Sequence, residues 1–158
     1  MAESKGAESQ FVYVTFIRTT PEKLWQALTQ PEFTRQFWMN TTQECEWKQG
    51  ASWRIVKPNG ETADSGEVLE IEPHKRLVLK WQNHMFPEMT AEGFSRLTYE
   101  LEPMGETVKL TVTHVMDKLD SKLIKAVSGG WPMILASLKS LLETGESLEG
   151  TRRWPEGM

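Results

Sequence analysis

The feature that most constrains the fold is a change of hydrophobic period in the last third of the chain. Over residues 97–101 and 108–114, apolar and polar side chains alternate in two runs separated by a turn. Over residues 121–144 the apolar side chains instead recur at helical spacing, as Ile124, Val127, Trp131, Leu135, Leu138 and Leu142. Alternation predicts strands with one dry face, and the later stripe predicts an amphipathic helix. We therefore expect an antiparallel hairpin and a long C-terminal helix that covers the dry face of its sheet.

The upstream residues predict the remainder of the sheet and two short helices. Thr20 can cap a helix whose first position is Pro21, and Gln30 followed by Pro31 repeats this start signal. Alternating or β-branched runs predict strands over residues 11–18, 53–56, 66–72, 76–81, 97–101 and 108–114. The predicted fold class is α+β, with a curved antiparallel sheet wrapped around a long C-terminal helix and two short helices after the first strand.

The limits of the folded unit follow from where the periodicity stops. Residues 128–132 place two glycines and a proline inside the last helix, which should kink or divide it, and Gly145 should end it. Residues 1–10 and 145–158 are polar and show no sustained period. We therefore predict one domain over residues 11–144 with a flexible tail at each end.

Composition and charge exclude several classes of function. The 158 residues carry 22 acidic and 18 basic side chains, and the net charge of −4 disfavours a nucleic-acid groove. No apolar run is long enough for a membrane span, and the N-terminus does not resemble a signal peptide. The single cysteine, Cys45, cannot form an intramolecular disulfide, so we expect a cytoplasmic protein. The spacing of His74, His84 and His114 does not indicate a metal site, and we predict neither metal nor cofactor.

Several segments together resemble one known family. They are TPEKLWQALT at residues 20–29, GEVLEIEP at 66–73, RLV at 76–78, SRLT at 95–98, LTVTH at 110–114 and the pair Gly130 and Trp131. In this order they are similar to the homologues of the activator of heat-shock protein 90 ATPase, within the START, polyketide-cyclase and Bet v-like helix-grip superfamily. The resemblance covers residues 11–144 and implies the helix-grip fold in its stand-alone bacterial form. It transfers no catalytic residue, since such domains variously carry lipophilic ligands, act as cyclases or serve as co-chaperones.

A ligand in such a domain would lie between the sheet and the C-terminal helix. We predict a cavity lined by Phe37, Trp38, Trp53, Trp81, Tyr99, Val112, His114, Trp131, Leu135 and Leu138. Alternation places His114 and Tyr99 on the interior face, where they could hydrogen-bond a carbonyl or hydroxyl of an otherwise apolar ligand. Packed core is the alternative interpretation of these positions, and a satisfied core histidine is the alternative for His114.

The leading functional prediction is a cofactor-independent module that binds a small hydrophobic ligand, as a monomer or a homodimer. Two alternatives stay open: a cyclase-like or dehydratase-like enzyme using His114 or Tyr99 as acid or base, and a chaperone-linked protein-interaction module. The loop of residues 83–93, which carries Met85, Phe86 and Met89, is either a lid or contact surface, or a hairpin loop folded onto the core edge. Residues 152–154 are expected to be disordered.

Overall fold

The predicted strands and helices occur in their predicted order in a computed structural model that describes residues 8–156. Three short elements were not predicted, namely a strand at Thr42–Cys45, a helix at Pro87–Thr90 and a 3₁₀ helix at Glu149–Thr151. The strands are β1 (Ser9–Ile17), β2 (Thr42–Cys45), β3 (Ser52–Val56), β4 (Thr62–Glu72), β5 (Arg76–Asn83), β6 (Ser95–Met104) and β7 (Thr107–Met116). The helices are α1 (Pro21–Thr29), α2 (Pro31–Phe37), α3 (Pro87–Thr90) and α4 (Lys122–Thr144), and a 3₁₀ helix follows at Glu149–Thr151. The α+β class is confirmed.

The strands form one antiparallel sheet in the order β1-β7-β6-β5-β4-β3-β2. In the hairpin of β6 and β7, Leu97 pairs with His114 and Leu101 pairs with Leu110, so the predicted dry faces of the two strands lie on the same side of the sheet. Breaks in register on β3 and β4 mark bulges, which bend these strands and curve the sheet. The core lies between the inner face of this curved sheet and α4.

Gly66 on β4 is needed for the packing of its neighbouring strands. It pairs with Trp53 on β3 and with Trp81 on β5, and an added Cβ would collide with the carbonyl oxygen of Lys80. The absence of a side chain at Gly66 lets β4 and β5 approach closely, and the indole centroids of Trp53 and Trp81 lie 4.7 Å apart. The sheet thereby contributes a pair of packed tryptophans to the interior.

The helix boundaries follow the predicted capping chemistry. The hydroxyl of Thr20 accepts a hydrogen bond from the backbone N–H of Lys23 at 3.2 Å, and Pro21 is the first residue of α1. At the end of α4, Gly145 adopts φ +88°, and its N–H donates to the carbonyl of Leu141 at 2.9 Å. This left-handed backbone conformation favours glycine, and it terminates the helix.

Helix α4 is undivided, contrary to the expectation for residues 128–132. It continues through Gly129, Gly130 and Pro132 for 23 residues. Trp131 and Leu135 on the same helix are 3% and 1% exposed, so burial against the sheet compensates for weak local helix propensity. None of the helices formed by residues 8–156 is long and apolar enough to cross a membrane.

Residues 147–154 pack against the domain, within the stretch 145–158 for which the sequence predicts a flexible tail. Residues 157 and 158 of that stretch lie outside the described residues. Thr151 is 2% exposed; its hydroxyl shares a 2.6 Å hydrogen bond with Ser137 of α4, and its carbonyl accepts from the N–H of Met39 at 2.6 Å. The N–H of Leu148 also donates to Ser137. These anchors are isolated polar contacts with no period, so hydrophobic patterning does not detect them.

The first strand begins close to its predicted start. Strand β1 begins at Ser9, two residues before the predicted strand, and the hydroxyl of Ser9 donates to the carbonyl of Lys118 at 2.6 Å. The other residues of the predicted N-terminal tail, 1–7, lie outside the described residues.

Candidate functional site

A cavity of about 190 Å³ lies between the inner face of the sheet and the first half of α4. Its walls come from strands β3 to β5, the end of α2, the loop of residues 84–94 that contains α3 (the α3 loop), and Trp154 of the C-terminal segment. Its described lining residues are Trp38, Met39, Ile55, Asp64, Trp81, Asn83, Met85, Phe86, Met89, Leu123, Ala126, Val127, Gly130, Trp131, Ile134 and Trp154. Apart from Asp64, Asn83 and Gly130, these residues carry apolar or aromatic side chains, so the lining suits a lipophilic molecule.

Three tryptophans from different elements form the aromatic wall of this cavity. Trp38 follows α2, Trp81 lies on β5 and Trp131 lies on α4. The ring centroids are 5.3 Å apart for Trp38 and Trp131, 5.9 Å for Trp81 and Trp131, and 6.2 Å for Trp38 and Trp81. At 3–5% exposure these large rings are held by contacts on several sides, so the wall is preformed.

Asp64 places a carboxyl group in the apolar lining. Its Oδ1 accepts hydrogen bonds from Trp81 Nε1 at 2.9 Å and from Asn83 Nδ2 at 3.1 Å. Among residues 8–156, no group donates a hydrogen bond to Oδ2. Asp64 is 9% exposed, and this burial raises its pKa to about 6, although the two hydrogen bonds act in the opposite direction.

Asn83 connects this carboxyl group to the loop that borders the cavity. While its amide nitrogen donates to Asp64, its Oδ1 accepts from the backbone N–H groups of Met85 at 2.9 Å and Phe86 at 3.1 Å. The loop then reaches α4 through Glu92, which accepts hydrogen bonds from Ser121 and from the first backbone N–H groups of the helix. The α3 loop is therefore attached at both ends.

His114 lies in a closed hydrogen-bond network behind the aromatic wall. Trp131 Nε1 can only donate, so the His114 Nδ1 that it contacts at 3.2 Å is the acceptor, and the ring proton is on Nε2. Nε2 donates to Ser95 Oγ at 2.8 Å, and Ser95 donates to the carbonyl of Trp81 at 3.1 Å. The ring is fully buried, and burial lowers its pKa to about 3. His114 is thus neutral and has no free nitrogen for a ligand.

Tyr99 also lies outside the cavity lining. It is 1% exposed, its ring meets Trp131 edge-on at 6.0 Å, and its hydroxyl has no hydrogen-bond partner among residues 8–156. Burial raises the pKa of this hydroxyl, which keeps it protonated. The geometry therefore does not bring Tyr99 and His114 together at the cavity as an acid and base pair.

The predicted site residues divide into two groups. Trp38, Trp81 and Trp131 line the cavity. The others are buried in the packing around it: Phe37, Trp53, Tyr99, Val112, His114, Leu135 and Leu138 are all at most 1% exposed. All the predicted positions face the interior, as periodicity indicates, but most of them pack deeper in the core than the cavity.

Several lining residues had weak sequence signals or none. Met85, Phe86 and Met89 lie in the loop that the sequence singles out as a lid or contact surface, whereas Trp154 lies in a segment expected to be disordered. Asp64 precedes the predicted strand start at residue 66, although β4 begins at Thr62. Because Asp64 is two residues before Gly66, extending the alternation upstream would have placed it on the inner face.

Gly130 provides part of the space on the helical side of the cavity. It is a lining residue, and a Cβ added to it would meet nothing within 4 Å. Its neighbour Gly129 is exposed and equally unobstructed, but does not line the cavity. The pair therefore offers a position where a larger side chain would enter the cavity and a matched position where it would not.

A second depression of about 660 Å³, on the sheet around β3, is a surface groove. Its charged residues are paired with one another, Lys48 with Glu46 at 3.2 Å and Arg54 with Glu44 at 2.6 Å. This leaves few free polar groups for a ligand. Within residues 8–156, no cluster of three or more His, Cys, Asp or Glu side chains could hold a metal ion.

Comparison with known proteins identifies relatives of this architecture. A family model described as "Activator of Hsp90 ATPase homolog 1-like protein" matches residues 18–143. A crystal structure of a protein from Mesorhizobium loti is 28% identical, with a TM-score of 0.72 over 85% of this chain and 97% of that chain. A search of the curated proteins found no match.

Two further structures share the fold at lower identity. The Aha1 dimer from Colwellia psychrerythraea is 20% identical, with a TM-score of 0.71 over 88% of this chain and 99% of that chain. DynU16, a protein in the dynemicin biosynthetic locus, is 21% identical, with a TM-score of 0.72. That match covers 92% of this chain and 49% of DynU16.

Proposed function

We propose that this chain, which belongs to the Activator of Hsp90 ATPase homolog 1-like family, binds one small lipophilic molecule in the cavity between its sheet and α4. The observation that carries the proposal is a preformed apolar cavity with a single carboxyl group in its lining. Ligand sites commonly combine an apolar lining with a few polar groups that orient the ligand. A solidly packed core would leave no such space.

The size of the cavity limits the ligand. A dry engineered cavity of about 150 Å³ is large enough to bind benzene. The cavity here, at about 190 Å³, therefore fits a molecule with one aromatic ring or a short aliphatic chain, rather than a sterol or a long-chain lipid. The α3 loop, attached through Asn83 and Glu92, forms one wall of this cavity.

Binding without catalysis is the function that the polar groups support. An acid-base mechanism needs a titratable group that can reach the ligand. Both ring nitrogens of His114 are engaged by Trp131 and Ser95, and Tyr99 does not line the cavity. Asp64 is the one titratable group in the described lining, and no second acid or base lies beside it there, so we propose a carrier or sensor of a small molecule.

The test is calorimetric titration with 2-phenylethanol, a neutral single-ring probe of suitable size. We expect one site per chain with a Kd of about 0.1–1 mM, as the limited affinity of so small a ligand implies. Gly130→Leu should abolish binding because its side chain enters the cavity, whereas Gly129→Leu should bind the probe as the wild type does. Absence of binding to the wild type, or equal binding to both variants, would contradict the proposed site.

A further inference from the structure

The cavity contains a carboxyl group that no cation of residues 8–156 pairs with. Asp64 is 9% exposed, and its hydrogen-bond donors, Trp81 and Asn83, are both neutral. No Lys, Arg or His belongs to the described lining. Lys57 lies 5.4 Å from the ring centroid of Trp154, but it is already paired with Glu61 at 3.0 Å. A buried carboxylate in this position is costly unless a bound group supplies the opposite charge.

The free oxygen of Asp64 is where such a group could bind. Oδ1 already accepts two hydrogen bonds, but Oδ2 accepts none from residues 8–156. Asp64 itself lines the cavity. A ligand with an N–H or O–H donor could therefore complete the hydrogen bonding of this carboxyl group, and a charged N–H donor would form the stronger bond.

The aromatic wall favours a cation over a neutral donor. Trp38, Trp81 and Trp131 contribute indole rings to the same cavity, with centroid separations of 5.3–6.2 Å. Indole is the side chain whose face attracts cations most strongly, and clusters of aromatic rings bind ammonium groups in other proteins. The carboxylate of Asp64 and the indole rings thus both favour a positive charge on the ligand.

We infer that the ligand is a small lipophilic amine, whose ammonium group lies against the indole wall and donates a hydrogen bond to Asp64 Oδ2 while its apolar part packs against the apolar side chains of the lining. This rests on the proposed function and adds the chemical class of the ligand. The amine is primary, secondary or tertiary rather than a quaternary ammonium, since the carboxylate needs an N–H donor. Its apolar part is about one aromatic ring in size, as the cavity of about 190 Å³ requires.

The experiment compares 2-phenylethylamine with 2-phenylethanol at pH 7.5 by calorimetric titration. The two probes differ only in the terminal group, so the ratio of their affinities reports on charge recognition alone. The variants are Asp64→Asn, which keeps the shape of the side chain without its charge, and Asp117→Asn, which removes one exposed carboxylate elsewhere. The neutral alcohol also monitors folding, since its binding requires an intact cavity in every variant.

We expect the wild type and Asp117→Asn to bind the amine about 10-fold or more tightly than the alcohol. Asp64→Asn should lose this preference, because its affinity for the amine should fall by a larger factor than its affinity for the alcohol. Equal affinities in the wild type, or a preference that survives in Asp64→Asn, would overturn the amine assignment and leave the proposed lipophile site standing. If the wild type binds neither probe, the proposed function fails and this inference fails with it.

Discussion

The substitution Asp64→Asn should stabilise the protein at neutral pH, although it changes a buried, hydrogen-bonded residue. Burial raises the pKa of Asp64 to about 6 from an ordinary value of 3.8. Between these values the folded chain holds a proton that the unfolded chain has released, so the contribution of Asp64 to stability falls as the pH rises through this window. At about 1.4 kcal/mol for each pH unit, the loss by pH 7 amounts to about 3 kcal/mol.

Asparagine avoids this cost because it does not ionise. Its Oδ1 can accept the hydrogen bond from Trp81 Nε1 as the carboxyl oxygen does, so the two proteins should be almost equally stable at pH 4, where Asp64 is neutral. The difference in the free energy of unfolding should then grow with pH, in favour of the variant, to about 3 kcal/mol at pH 7.

Urea unfolding at pH 4, 5, 6 and 7, followed by the fluorescence of the seven tryptophans, measures this difference directly. Asp117→Asn serves as the control for removal of one exposed negative charge. A free-energy difference between Asp64→Asn and wild type that stays constant from pH 4 to pH 7 would refute the reasoning. A variant less stable than wild type at pH 7 would refute it as well.

Three further predictions concern the surroundings of the cavity. Because the pKa of buried His114 is lowered to about 3, its ring resonances should not titrate between pH 8 and 4 in NMR spectra, and a midpoint near 6.5 would contradict the closed network. Between pH 6.5 and 3 the unfolded chain binds a proton on His114 that the folded chain does not. His114 should therefore lower the free energy of unfolding by about 1.4 kcal/mol for each unit that the pH falls through this range. Gly66→Ala should destabilise the protein by about 3 kcal/mol or more in urea unfolding, because its Cβ collides with backbone. Gly129→Ala places its Cβ in open space on a helix and should instead stabilise the protein by about 0.5–1 kcal/mol. Equal effects of the two substitutions would show that the close approach of β4 and β5 at Gly66 is unimportant for stability. Glu92→Ala should cost about 1–2 kcal/mol at pH 7 and accelerate amide exchange in the α3 loop, because the start of α4 loses its acceptor. Burial opposes but does not cancel the lowering of the Glu92 pKa by its hydrogen bonds, so this cost should shrink as the pH falls below about 4.5. A cost of Glu92→Ala that is independent of pH would contradict that assignment.

The fold was largely predictable because its main signals are local and periodic. Residue type and spacing predict the hairpin of β6 and β7, the cap at Thr20 and the helix end at Gly145. The predicted division of α4 at Gly129 and Gly130 does not occur, because tertiary burial of Trp131 and Leu135 outweighs the low helix propensity of the glycines. In the folded protein Gly130 provides cavity space instead.

The site was less predictable, because a cavity is a property of packing that periodicity does not report. Alternation correctly placed Trp81 and His114 on the inner face, yet one lines the cavity and the other is enclosed behind it. Asp64 and Trp154 were missed for different reasons: the predicted strand began too late, and the C-terminal anchor has no repeat to detect.

The central claim is that a small lipophilic molecule occupies the cavity between the sheet and α4, and methionine methyl NMR tests it most directly. Met39, Met85 and Met89 line the cavity, whereas Met104 and Met133 are about half exposed and lie outside it. On titration of the ¹³C-methyl-labelled protein with 2-phenylethanol, the account predicts saturable shifts of the three cavity methyl groups with one common Kd and no change at the two exposed ones. Cavity methyl groups that stay unperturbed at saturating probe, or shifts confined to Met104 and Met133, would contradict it.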